Sequence, residues 1–144
     1  GKNAIAHELA HMVIHQITFN CYNQLPTWLD EGLAMYAQEE RDPSYEAALN
    51  EAIAEDGLFS VRTLSSSFPA SPQAATLSYA ESYSIVDFLI QEYDQEKMLE
   101  LLLVFHDGCG YDEALMEVYG FDMDGLDALW REGIGAGEMV SSIP

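Results

Sequence analysis

The chain has 144 residues, and its 25 Asp and Glu residues against 5 Lys and Arg give a formal net charge of −20. This charge disfavours nucleic acid and anionic membrane surfaces as partners, because both are polyanions. With 49% hydrophobic residues, the chain can bury a core, and its length fits one domain. Its longest apolar runs, such as residues 98–105, are too short to span a bilayer. Two cysteines, Cys21 and Cys109, can be bonded or free and leave the compartment open.

The spacing of apolar residues predicts helices along almost the whole chain. Thr27, Asp42 and Asp112 are predicted N-caps, and Pro43 fits the first turn that follows Asp42. Serines and prolines predict a long loop over residues 58–75. The predicted helices span residues 3–18, 28–39, 43–55, 76–93, 95–106 and 113–119, and a last one runs from Asp122 or Asp124 to about residue 132. The sequence therefore predicts an all-α, mainly helical fold.

His7, Glu8 and His11 form a His-Glu-x-x-His pattern on the first predicted helix. Residues four apart share one face of a helix, so His7 and His11 can bind one ion while Glu8 reaches a water beside it. The flanking residues are apolar, and two histidines and a carboxylate on a buried helix need something to satisfy them. The pattern predicts a metal site, with ordinary surface histidines as the alternative.

Glu31, on the second predicted helix, is the predicted third ligand. A metzincin would need a histidine six residues after His11, where the chain has Ile17. His15 lies about 12 Å of helix rise from His7, so we interpret it as a surface histidine or as a support for a ligand. The alternative for Glu31 is a first-turn carboxylate that complements the helix dipole. Three protein ligands would leave a fourth position for water.

The His-Glu-x-x-His motif, with Trp-Leu-x-Glu-Gly-x-Ala over residues 28–34, resembles the gluzincin metallopeptidases, the clan of thermolysin. Within that clan the chain is most similar to the peptidase MA-like family. The helical pattern of residues 78–89 and the tail around residues 112–130 extend the resemblance over nearly the whole chain. It implies one zincin-like domain over residues 1–144. This domain would comprise a zinc-binding helix pair (1–40), a helix and loop (41–75) and a helical C-terminal part (76–144).

The resemblance implies zinc-dependent hydrolysis of peptide bonds. His7, His11 and Glu31 would bind Zn²⁺, and Glu8 would act as general base and then as proton shuttle.

Further roles are implied for residues around the ligands. Asp30 would orient His11, and Tyr79 or Tyr83 would hydrogen-bond the oxyanion. Met35 stands where thermolysin-like enzymes carry an aspartate, so the carboxylate that would hold His7 is missing at that position.

The resemblance also implies a peptide or protein substrate and a β-sheet before the zinc helix, whose edge strand pairs with extended substrate. We therefore expect an upstream domain or sheet in a longer protein. The face of the zinc helix that would cover this sheet could instead pair two copies of the chain as a homo-oligomer. Two alternative functions stay open: a zinc-binding but inactive peptidase-like module that recognises peptides or proteins, and a metal-free helical interaction domain.

Overall fold

The computed structural model of the protein describes residues 25–38, 42–106 and 110–135. Within these ranges the chain forms seven α-helices and no strand, so the predicted all-α class is confirmed. The helices are α1 (Thr27–Tyr36), α2 (Pro43–Glu55), α3 (Val61–Leu64), α4 (Pro72–Tyr93), α5 (Gln95–His106), α6 (Tyr111–Tyr119) and α7 (Met123–Gly133). The predicted zinc helix, residues 3–18, lies outside the described residues.

The long helix α4 is the centre of the described fold. It packs against α1, α2, α5 and α7, while α6 contacts α5 and α7, and α3 contacts α1 and α7. Large apolar side chains fill the space between these helices, among them Trp28, Phe105 and Trp130, each at most 1% exposed. The indole nitrogen of Trp130 donates a hydrogen bond to Ser84 Oγ at 3.0 Å, which ties α7 to α4. Each of the other described helices thus contacts α4 directly or through a neighbour that does.

Local sequence explains where several helices begin and end. The Asp42 carboxylate accepts a hydrogen bond from Ser44 N at 2.9 Å, and Pro43 opens α2, as predicted. Asp122 caps α7 by accepting from Gly125 N at 2.8 Å. Asp94 separates α4 from α5 in a single residue, and its carboxylate accepts from Lys97 N.

Several predictions about helix boundaries are wrong. Thr27 is the first residue of α1 and no N-cap, because its backbone N–H and its hydroxyl both donate to Ser65 O. Asp112 lies inside α6, which begins at Tyr111, and its carboxylate accepts from Met123 N at 2.9 Å. The predicted loop over residues 58–75 contains α3, and α4 begins at Pro72, since proline fits the first helical turn.

A buried polar network holds the segment between α2 and α3. Glu81 on α4 is fully buried, and its Oε2 accepts a hydrogen bond from Phe59 N at 2.9 Å. Arg131 Nη2 donates to Phe59 O at 3.2 Å, and Arg131 Nε pairs with Asp127 at 3.0 Å. Asp127 in turn accepts from Val61 N at 3.1 Å. The backbone of this segment is therefore held by side chains from α4 and α7.

Glu81 is the least compensated member of this network. Its second oxygen, Oε1, has no hydrogen-bond partner. Burial raises the pKa of Glu81 to about 8, although the Phe59 N–H and the charge of Arg131 act in the opposite direction. Glu81 is therefore mainly protonated at neutral pH in the folded protein.

No described helix, α4 included, is both long enough and apolar enough to cross a membrane.

Glu81→Gln is expected to remove a pH dependence of the folding stability. Since the folded-state pKa of Glu81 (about 8) lies above its ordinary value of 4.5, its contribution to stability is complete below pH 4.5 and is lost as the pH rises towards 8. Glutamine keeps the acceptor for Phe59 N and cannot ionise. Urea unfolding measures the free energy of unfolding. Between pH 6 and pH 8.5, this free energy should rise by roughly 2 kcal/mol in the variant relative to the unmodified protein. Glu55→Gln, at an exposed residue, is the control, and a difference that does not change with pH would refute the prediction.

Candidate active site

The structure describes one part of the predicted site. Asp30 and Glu31 lie on α1, and Tyr79 and Tyr83 lie on α4. The remaining predicted site residues, which lie outside the described ranges, are His7, Glu8 and His11.

Helix α1 holds Glu31 on a firmly anchored segment. Trp28 and Leu29, in the turn before Glu31, are both 0% exposed, and Thr27 is tied to Ser65. Asp30 is the acidic residue of the first turn, whereas Glu31 follows it, so the prediction that Glu31 stands in the first turn is wrong by one residue. The alternative role, a carboxylate that complements the helix dipole, therefore suits Asp30 better than Glu31, because the effect of the dipole fades after the first turn.

Gly32, the residue after Glu31, allows α1 to lie directly against α4. A Cβ atom at Gly32 would overlap the carbonyl oxygen of Ser82 and would lie 2.6 Å from Val86 Cγ2. No residue larger than glycine fits there without displacing one of the two helices. The distance between the α1 and α4 backbones, and with it the position of Glu31 relative to α4, is therefore set by the absence of a side chain.

Tyr79 on α4 is one of the two predicted oxyanion donors, and the charge of Glu31 affects its pKa. It is half-buried, and its ring packs edge-to-face on Phe68 with ring centroids 5.1 Å apart. Burial raises the pKa of Tyr79 above its ordinary value of 10.0, and the charges of Glu31 and Tyr45 raise it further. The phenol of Tyr79 therefore keeps its proton at neutral pH and can donate a hydrogen bond.

Tyr83 lies one turn further along α4, on the same side as Tyr79, because residues four apart share a helix face. Its ring stacks on Tyr36 of α1, with centroids 6.2 Å apart and an angle of 29° between the ring planes. Tyr83 also lines a cavity between α2 and α4, together with Tyr45. The two tyrosines of α4 thus form a strip between the α1 contact at Ser82 and the α2 side of the helix.

Two of the aromatic residues around this strip carry no predicted role in the site. No motif in the sequence singles out Tyr36 of α1 or Tyr45 of α2. The signal that could have found them is spatial, because they meet the strip only when α1 and α2 are both packed on α4.

Of the three predicted zinc ligands, only Glu31 lies within the described residues. Within residues 25–38, 42–106 and 110–135, no three His, Cys, Asp or Glu side chains are grouped so that they could hold a metal ion. A site that includes Glu31 would therefore need ligands from the remainder of the chain, where both predicted histidine ligands lie.

Met35, at the position that departs from the thermolysin pattern, is 2% exposed and belongs to the apolar interior. The side chain of Met35 therefore helps to pack α1 against the apolar interior.

Comparison with known proteins identifies one family. The family model of the Peptidase MA superfamily matches residues 1–136, which include all seven predicted site residues. Neither the curated proteins nor the solved structures contain a match to the chain.

Gly32→Ala is expected to destabilise the fold by roughly 1–3 kcal/mol, the usual cost of an overpacked contact. The direction of the change in stability is informative, because alanine inside a helix is otherwise more stable than glycine by up to about 1 kcal/mol. Chemical denaturation measures the free energy of unfolding. Gly57→Ala is the control, since the nearest atoms to its added Cβ lie 4.0 Å away. A stabilised Gly32→Ala variant would show that α1 does not need this close approach.

Proposed function

The chain belongs to the Peptidase MA superfamily, and from this premise we propose that it hydrolyses peptide bonds with zinc as cofactor. The observation that carries the proposal is the family match over residues 1–136, and the packing of α1, which holds Glu31, against α4, which holds Tyr79, supports it. The substrate class is a peptide or protein, which fits a superfamily of peptidases.

The donor set suits catalytic zinc. His7, His11 and Glu31 together provide two imidazoles and one carboxylate, which is a ligand set of zinc peptidases and leaves a coordination position open. Glu31 fits this role because it is half-buried on a helix whose buried side fixes its position. Bound zinc would supply a positive charge that polarises the substrate carbonyl and activates water.

Glu8 supplies the proton chemistry in this proposal. Its carboxylate takes a proton from the attacking water as the new carbon–oxygen bond forms at the peptide carbonyl. It then delivers that proton to the nitrogen of the leaving amine as the carbon–nitrogen bond breaks, so that one water is consumed for each bond cleaved. Asp30, beside Glu31 on α1, would accept a hydrogen bond from the second ring nitrogen of His11 and fix the orientation of that ring.

Tyr79 is the proposed donor to the oxyanion. A donor stabilises the transition state only if it keeps its proton, and burial raises the pKa of this phenol above its ordinary value. Tyr83 is the second candidate, because it also lines the cavity between α2 and α4.

Glu8→Gln and Glu31→Ala are expected to separate turnover from metal binding. Glu8→Gln should keep about one zinc per chain and lose peptide hydrolysis by several orders of magnitude, because glutamine cannot accept the proton. Glu31→Ala should lose zinc as well, since a ligand is removed. Metal analysis by mass spectrometry and cleavage of a fluorogenic peptide library, with and without chelator, measure the two effects.

The outcomes of this comparison are distinct. Hydrolysis retained in Glu8→Gln would refute the role of Glu8, and full zinc content in Glu31→Ala would assign the third ligand elsewhere. Zinc bound by an unmodified protein that cleaves no peptide would favour the inactive peptidase-like module.

Tyr79→Phe is expected to lower kcat by about 10²-fold, in the range found when one oxyanion donor is removed. KM and zinc content should change little, because the lost hydrogen bond forms in the transition state. Tyr83→Phe is the matched control on the same face of α4, and we expect a loss below about tenfold. The reverse order of the two variants would assign the donor to Tyr83.

A further inference from the structure

A cavity of about 490 Å³ opens between the start of α2 and the middle of α4. Its walls are formed by Tyr45 and Leu49 of α2 and by Ala80 and Tyr83 of α4. Carboxylates of Asp42, Glu46 and Asp87 lie among the remaining lining residues, with Pro43 and Ser84. The cavity thus combines apolar and aromatic walls with several acidic groups, and its volume suits part of a peptide.

This cavity adjoins the candidate active site through two tyrosines. Tyr83, one of its wall residues, stands one helical turn from Tyr79 on the same face of α4 and stacks on Tyr36 of α1. Tyr45, on the opposite wall, is close enough to Tyr79 to raise its pKa. A peptide bound with a carbonyl beside Tyr79 would therefore have a neighbouring side chain within reach of the cavity.

The acidic groups of the cavity are not balanced by a described cation. Each described Lys or Arg pairs with an acid elsewhere: Arg62 with Asp112 and Asp124, Lys97 with Glu100, and Arg131 with Asp127. None of these three cations lines the cavity, and the chain's remaining two, Lys2 and Arg41, lie outside the described residues.

We propose that this cavity is a specificity pocket that binds a lysine or arginine side chain of the peptide substrate. The inference rests on the proposed function, since it assigns a substrate preference to the same site. Tyr45, Leu49 and Tyr83 would pack along the aliphatic part of the side chain, and the carboxylates at the rim would bind its charged end. An aromatic ring also attracts a cation placed over its face, which favours a basic side chain over an apolar one of equal length.

A second hollow serves as an internal comparison. It lies at the other end of α2, where Glu51 and Glu55 accompany Ala52, Phe59 and Leu77. It has apolar walls and acidic groups too, but neither Tyr79 nor Tyr83 lines it. Removing its charges changes the net charge of the protein by the same amount without altering the proposed pocket.

The test uses pairs of fluorogenic peptides that differ at one position, lysine in one and the uncharged, similarly shaped norleucine in the other. The position is scanned on both sides of the cleaved bond. We expect the unmodified protein to prefer lysine at one position. The preference, measured as the ratio of kcat/KM values, should fall by about tenfold in the Glu46→Gln/Asp87→Asn double variant, because two partners of the ammonium group lose their charge. Asp42 is left unchanged because its carboxylate caps α2.

The control is Glu51→Gln/Glu55→Gln, which removes two charges from the second hollow on the same helix. It should keep the preference for lysine. An equal fall in both double variants would attribute the preference to the overall charge, and no preference in the unmodified protein would overturn the inference while the proposed function stands.

Binding separates the inference from the proposed function. The same peptides, labelled and titrated against the Glu8→Gln variant, report affinity without turnover. Selective binding of the lysine peptide that is lost with Glu46→Gln/Asp87→Asn would support the pocket even if no peptide is cleaved. Equal binding of both peptides would overturn it.

Discussion

The close approach of α1 to α4 at Gly32 is the constraint on which the described half of the site depends. Because the added Cβ of any other residue would meet the Ser82 carbonyl and Val86, the two backbones can lie this near only with glycine. Glu31 precedes Gly32, so the same contact that packs the helices also fixes the carboxylate beside Tyr79. Packing and the proposed zinc chemistry therefore depend on adjacent positions of α1.

Helix α4 presents three faces with different surroundings, and the types of residue along it repeat accordingly. Every fourth residue falls on nearly the same face. One series, Glu81, Ile85 and Leu89, runs towards the interior; a second, Ser82 and Val86, meets α1; and a third, Tyr79, Tyr83 and Asp87, lies on the side of the cavity between α2 and α4. The α1 contact falls on the Ser82 carbonyl and on Val86, while the tyrosines beside them remain half-buried. The one polar member of the interior series, Glu81, is held protonated and fastens the segment before α3.

The sequence predicts much of the fold because its helix signals are local. Asp42 with Pro43 and the break at Asp94 depend on neighbouring residues alone, and the structure agrees with them. The signals fail where a distant partner takes over: Asp112 is used by Met123 and Arg62 and does not cap α6, and Thr27 donates to Ser65 across 38 positions of sequence. Single-residue propensities contain no information about such partners.

The candidate site divides in the same way. Spacing alone predicts the metal ligands, since His7 and His11 need only one helix and Glu31 only a second one packed against it. It could not choose between Tyr79 and Tyr83, because both occupy one face of α4. The two tyrosines differ in their surroundings. The charge of Glu31 acts on the pKa of Tyr79, whereas Tyr83 stacks on Tyr36 and lines the cavity between α2 and α4. Neighbouring positions on one helix face therefore have different surroundings, and we propose that one stabilises a reacting carbonyl and the other selects a side chain.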